Sequence, residues 1–186
     1  MISAGENMGE SAELWVFGYG SLMWRPGFAF EESAPAIIRG YRRALCVYSF
    51  VHRGTPARPG LVLGLDRGGS CRGVAFRVAA QHGEATIAYL RAREQATAVY
   101  REIHLTARLP DGRAPRALAY VFDTSHVQYA GRLAREDLLR YVRQGVGASG
   151  ANPGYVLSTH RHLDAMGIHD GDLAWLAGEL ADHPLG

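Results

Sequence analysis

The chain has 186 residues, 47% apolar and 20% charged, an ordinary balance for one packed domain and short for two. All 20 basic side chains are arginine and the formal charge is only +2, which excludes lysine Schiff bases, a P-loop lysine and a pyridoxal linkage, and gives no basic face for nucleic acid. The two cysteines, Cys46 and Cys71, form no CxxC pair, and no apolar run approaches the roughly 20 residues that cross a bilayer, so a cysteine zinc site and a membrane span are excluded as well.

Residues 1–12 are polar and glycine-bearing, with no basic start or apolar stretch. They read as a flexible tail ahead of a single domain over 13–186, with the cytoplasm as the expected compartment. Leu14-Trp15-Val16-Phe17 reads as a short buried strand that runs into the segment 18–23, with a turn at Arg25-Pro26-Gly27. Residues 36–50 form a bent strand around Gly40, and a glycine- and proline-rich loop over 53–60 leads to an apolar stretch at 61–65. The 66–70 segment (Asp-Arg-Gly-Gly-Ser) predicts a turn before a strand at 71–78. A helix over 84–95 follows, then a strand over 99–109, a hairpin turn at Pro110-Asp111-Gly112 and a return strand over 117–122. Helices are predicted over 134–145, 153–166 and 172–181, with Asn152 and either Asp170 or Asp172 as caps for the last two. Strands clustered early, with helices inserted and appended, predict an α+β fold: a small β-barrel or strongly curved mixed sheet with flanking helices.

Three familiar motifs fail. Gly18-x-Gly20 follows a strand, but the dinucleotide fingerprint needs a third glycine where Met23 stands, and Pro26 interrupts the helix that should follow. A nucleophile elbow needs glycine two residues either side of Ser21, where the chain has Tyr19 and Met23. His160 and His162 lie two apart on a helix and point to different sides, so with His169 they build no metal site and are read as exposed polar side chains.

Two features hold. In Phe17-Gly18-Tyr19-Gly20-Ser21-Leu22, two glycines let the backbone turn tightly and approach a ligand, and successive N–H groups of such a turn form a donor site for an anion or oxyanion. The same spacing also suits a plain tight turn. In the following helix Ile87, Leu90 and Glu94 share one face, which sets Glu94 toward the core at the helix's C-terminal end. Apolar surroundings and the helix C-terminus both disfavour the charged carboxylate, raising its pKa into the range useful for acid/base work. Pairing of Glu94 with Arg91 or another arginine is the alternative, and Glu84, near the helix start, is the poorer catalyst.

These two segments, extended as 17–24 and as Tyr89-Leu90-Arg91-Ala92-Arg93-Glu94, resemble the ChaC family of glutathione-specific γ-glutamylcyclotransferases. The likeness includes His52-Arg53-Gly54-Thr55-Pro56 with Pro59-Gly60, the 71–77 strand, and Gly147-Ala148-Ser149-Gly150-x-Asn152 with Tyr155, and it runs over about 14–157. The resemblance implies the γ-glutamylcyclotransferase-like fold, a site without metal or cofactor, and glutathione or a related γ-glutamyl compound as the small-molecule partner. It implies Glu94 as the acid/base and a cradle for the γ-glutamyl group made by Gly18, Tyr19, Gly20, Ser21, Leu22 and Met23. Tyr129 stands where the family has a tyrosine near the site, though the flanking asparagine and prolines of the NPxYLGP stretch are absent here. The family also carries glycines shortly after its glutamate, where this chain has Gln95-Ala96-Thr97-Ala98-Val99-Tyr100.

The implied reaction is attack of the substrate's own α-amine on its γ-carbonyl, releasing 5-oxoproline and, from glutathione, cysteinylglycine. Two alternatives stay open on sequence: the same chemistry on other γ-glutamyl amines or amino acids, and a non-catalytic binding module that kept the pocket.

Overall fold

The computed structural model describes residues 13–94 and 99–182; the segment read as a tail, 1–12, and residues 95–98, where the chain departs from the family's glycines, lie outside the described residues, as do 183–186. Five strands form one mixed sheet: β1 (Leu14–Gly18), β2 (Glu32–Ser49), β3 (Gly60–Val78), β4 (Tyr100–Thr106) and β5 (Arg116–Phe122), in the spatial order β2-β3-β1-β5-β4. β1 pairs antiparallel with β3 and parallel with β5, so both its edges are taken, and its residues from Trp15 to Gly18 are buried on both faces. That position explains why its sequence is a continuous apolar run rather than an alternating one. β4 lies at the opposite end of the order from β2 and leaves Arg101, His104 and Thr106 exposed. The sheet curls until its ends meet: Ile37 of β2 and Arg108, just past β4, exchange both backbone hydrogen bonds at 3.0 and 2.9 Å.

Glycines make the curl. The turn expected at 66–70 is absent as a turn; β3 runs through it, and the ladder with β2 continues from Tyr41↔Arg67 to Arg39↔Ser70. Gly40 (φ +87°) stands opposite Gly68 (φ +94°) and Gly69 (φ +70°), with a register shift between Arg39 and Tyr41. Left-handed backbone on both strands at one level bends them together, so the ladder need not end. Close approach fixes a further glycine: a Cβ on Gly73 would lie 2.2 Å from the Gly18 carbonyl oxygen and 2.6 Å from the Phe17 ring.

Four helices complete the architecture: α1 (Gly83–Glu94), α2 (Arg135–Gln144), α3 (Asn152–Ala165) and α4 (Gly171–Asp182), with a two-residue hairpin, β6 (Val146–Gly147) and β7 (Gly150–Ala151), before α3. Helices α2, α3 and α4 pack on one another and bury Leu138, Val142, Val156, Leu163, Leu173, Leu176 and Leu180 in the common core. Asp170 caps α4, its Oδ1 accepting the Leu173 N–H at 3.2 Å. Asn152 does not cap α3. The helix starts at Asn152 itself, and the fully buried side chain turns to β3, where it accepts the Leu61 N–H at 2.7 Å and donates to the Leu61 carbonyl at 2.8 Å. Among the described residues no helix is long and apolar enough to cross a membrane. The end of β1, the end of α1, the loop between β2 and β3, and the start of α3 converge on one cavity.

Candidate active site

Past β1 the chain tightens into a 3-10 turn over Ser21–Met23, closed by the Met23 N–H on the Gly20 carbonyl at 2.9 Å. Leu22 and Met23 anchor this turn in the core, while Ser21 stays exposed. The first N–H groups of such a turn, those of Ser21 and Leu22, have no acceptor within it. On the preceding peptide the Tyr19 carbonyl accepts the Arg43 Nε–H at 2.6 Å. In a trans peptide the N–H opposes the C=O, so the Gly20 N–H points away from Arg43. Gly20 lines the cavity and Arg43 does not.

The cavity holds about 400 Å³ and is walled on one side by Tyr19, Gly20, Ser21 and Leu22, with Glu94 at the end of α1. Leu90 is fully buried and Ile87 half-buried on the same helical face, which draws Glu94 inward; its side chain is 18% exposed. Burial raises the Glu94 pKa above the ordinary carboxylate value, and the Arg93 guanidinium, its Nε 3.3 Å from Oε1, opposes that rise. Arg91 does not pair with Glu94; it binds Glu102 through two hydrogen bonds at 2.8 and 2.9 Å. Glu84 stands exposed in the first turn of α1.

Tyrosines enclose the carboxyl. Burial pushes the phenols of Tyr19 and Tyr100 well above their ordinary value and raises that of Tyr155, so all three are neutral donors. Tyr100 donates to the Leu63 carbonyl at 3.1 Å, and the Tyr155 hydroxyl accepts the Leu63 N–H at 3.1 Å, fixing the β3 wall of the cavity.

Of the residues singled out in the sequence, Tyr19, Gly20, Ser21, Leu22 and Glu94 line this cavity. Gly18 is the last residue of β1, paired with Val74, and Met23 is buried beneath the turn. Tyr129 lies elsewhere. Its segment runs along β2, with Tyr129 bridged to Val47 and the Ala130 N–H on the Cys46 carbonyl at 2.8 Å. Its hydroxyl donates to Asp66 at 2.7 Å; that bond, with burial, pushes its pKa up to about 12. His162 is not a solvated side chain either: it stacks on Trp24, a cavity residue, at 4.4 Å between ring centres.

Three arginines to which the sequence reading gave no role at the site shape it. Arg43, its side chain 5% exposed, also donates to the Arg72 carbonyl at 2.6 Å. Arg93 ties α1 to the turn, donating to Ser21 Oγ and to the Arg25 carbonyl, each at 2.8 Å. Arg53, in the loop after β2, lines the cavity with its guanidinium over the Tyr155 ring, 5.2 Å from the centroid.

A curled mixed sheet with a cavity of this kind defines the γ-glutamylcyclotransferase fold. A crystal structure of the glutathione-specific γ-glutamylcyclotransferase from yeast superposes with a TM-score of 0.80 at 22% identity, covering 92% of this chain and 96% of that one. The family model for ChaC-like proteins matches residues 14–181, and the chain belongs to that family. The glutathione-specific γ-glutamylcyclotransferase of Escherichia coli (strain K12) is 32% identical over 164 residues, 88% of this chain and 71% of that protein. The γ-glutamylcyclotransferase 2-3 of Arabidopsis thaliana is 30% identical over 175 residues, 90% of this chain and 88% of that protein.

Proposed function

We propose that this protein is a glutathione-specific γ-glutamylcyclotransferase in which Glu94 is the acid/base. One observation carries the residue assignment: a desolvated carboxyl shares a cavity with the backbone donors of the turn after β1. The family membership and the names of the relatives support the substrate.

The γ-glutamyl group enters with its α-amine folded toward its γ-carbonyl. The nucleophile is tethered to its target, so binding the folded form removes much of the entropic barrier. An α-amine is largely protonated at neutral pH, and a base must take that proton before attack. Glu94 takes it. The amine nitrogen bonds to the γ-carbon, closing a five-membered ring, and the carbonyl oxygen gathers charge that the N–H groups of the turn at Gly20, Ser21 and Leu22 receive. Glu94 then returns its proton to the amide nitrogen of the leaving peptide and the original C–N bond breaks; the ionised Glu94 takes the second proton from the ring nitrogen and passes it to the freed amine, so that 5-oxoproline departs with a neutral lactam and cysteinylglycine as an ammonium. No water is consumed. Burial suits Glu94 to both halves, because a raised pKa makes it a stronger base when ionised and leaves it a competent acid afterwards.

Glu94→Gln keeps the shape and the hydrogen-bonding reach of the side chain but cannot exchange a proton. Turnover, followed as 5-oxoproline released from glutathione, falls by roughly 10²–10⁴, the usual worth of a positioned acid/base. Near-normal release by this variant would refute the assignment.

A further inference from the structure

Within the cyclotransferase reading, the substrate carries a second carboxylate, at the C-terminus of the departing peptide, and something must receive it. The cavity holds a cation suited to that task. Arg53 lines it, and among the described residues this guanidinium pairs with no carboxylate. It is held nonetheless. Its Nη1 donates to the Ser149 carbonyl and its plane lies over Tyr155, which leaves the Nε–Nη2 edge available as a two-donor fork. Beside it His52 Nδ1 lies 3.0 Å from Ser149 Oγ, in the same cavity wall.

The base of this arm is built to be rigid. The Arg53 N–H donates to the buried Ser49 Oγ at 2.9 Å. The Arg53 carbonyl is packed between two glycines: a Cβ on Gly60 would lie 2.2 Å from it, and one on Gly145 would lie 2.4 Å from it. Such close backbone contact holds the loop against β3 and the hairpin β6–β7, without side chains to yield.

The spacing suits a dipeptide. Gly20 faces Leu63 of β3, 3.8 Å from where its Cβ would be, whereas Arg53 sits at the level of Gly60, three residues back along the strand. At about 3.3 Å per residue that is roughly 10 Å of strand. Two extended residues reach at most about 7 Å beyond the scissile bond. A carboxylate at that distance falls short of Gly60 and under the guanidinium, which reaches back over Tyr155 toward Leu63.

We infer that Arg53, braced by Ser149 and Tyr155, binds the C-terminal carboxylate of the leaving dipeptide and selects γ-glutamyl peptides over γ-glutamyl amines. The inference rests on the proposed cyclotransferase reaction.

The test compares kcat/KM for glutathione with that for its C-terminal carboxamide, γ-glutamyl-cysteinyl-glycinamide, by 5-oxoproline release. The native enzyme favours glutathione roughly ten- to a hundredfold, the range for a charge-assisted hydrogen-bonded partner. In Arg53→Met that ratio collapses to near one, and in Arg53→Lys, which keeps the charge but not the fork, it lies between. Native enzyme cleaving both peptides equally overturns the subsite and leaves the cyclotransferase reading standing, whether or not the variants fold. A ratio that survives Arg53→Met but collapses in Arg25→Met overturns the assignment to Arg53, since Arg25 lines the same cavity. No 5-oxoproline from either peptide overturns the reaction itself and the subsite with it.

Discussion

Asn152→Ala tests how the cavity wall is held. Asn152 and Leu61 are both fully buried, and the side-chain amide satisfies both backbone groups of Leu61 at 2.7 and 2.8 Å. Alanine leaves a buried donor and a buried acceptor unpaired, at about 1–3 kcal/mol each, or roughly 2–6 kcal/mol together. Against a total stability of about 5–15 kcal/mol, that is a large fraction. With a urea m-value of about 1–3 kcal/mol/M, the unfolding midpoint falls by at least about 0.7 M. Asn152→Asp separates hydrogen bonding from packing, because it keeps the acceptor for the Leu61 N–H but sets a buried carboxylate against the Leu61 carbonyl. It is as unstable as alanine at neutral pH and recovers on acidification, when the protonated carboxyl can donate to that carbonyl. An alanine variant losing less than about 0.5 kcal/mol, well below the penalty for even one unpaired buried group, refutes the reasoning.

Two further outcomes are expected. Burial raises the folded-state pKa of Glu94 above its ordinary value of 4.5, so the folded protein holds that proton more tightly and loses stability as pH rises from the unfolded value through the folded one. Glu94→Gln escapes this loss: by thermal melting it is more stable than the native chain at neutral pH, by about 2–4 °C per kcal/mol, and the difference vanishes below about pH 4. Arg43→Met removes the bond that orients the Tyr19–Gly20 peptide, and turnover falls at least about tenfold, the cost of a mispositioned donor. It also costs about 1.5–3 kcal/mol for each charged hydrogen bond lost, read by urea unfolding; native turnover in this variant refutes the orienting role.

Much of this fold was legible because periodicity and local turn chemistry acted alone. The buried β1, the Pro110-Asp111-Gly112 turn and the C-terminal helices follow from apolar spacing and from residues that tolerate left-handed backbone, and Gly112 has φ +90°. The 66–70 segment misled for the same reason. Two adjacent glycines read locally as a turn, and only the positive-φ Gly40 on the paired strand makes them a bend instead. Asn152 had the composition of a cap, but a buried strand edge 91 residues away claimed its amide. Glu94 was visible because the residues that bury it share its helix face. Tyr129 was singled out by resemblance, and its hydroxyl goes to Asp66, a partner 63 residues away that no spacing announces.

The arginines around the cavity give the lysine-free composition a physical meaning. Arg43, Arg53 and Arg93 each hold a main-chain carbonyl, those of Tyr19, Ser149 and Arg25, and each has a further role: Arg43 grips a second carbonyl, Arg93 reaches Ser21 and Glu94, and Arg53 keeps an open edge. A guanidinium can do this because its five N–H donors are fixed in one plane, so one edge can brace the backbone while the other faces a ligand or a carboxylate. An ammonium presents three donors on a freely turning tip and shifts its pKa readily when buried. Beside a carboxyl that must gain and lose a proton, that difference matters. A lysine in place of Arg93 could itself titrate and exchange protons with Glu94, whereas arginine keeps its charge and shifts the Glu94 equilibrium without joining it.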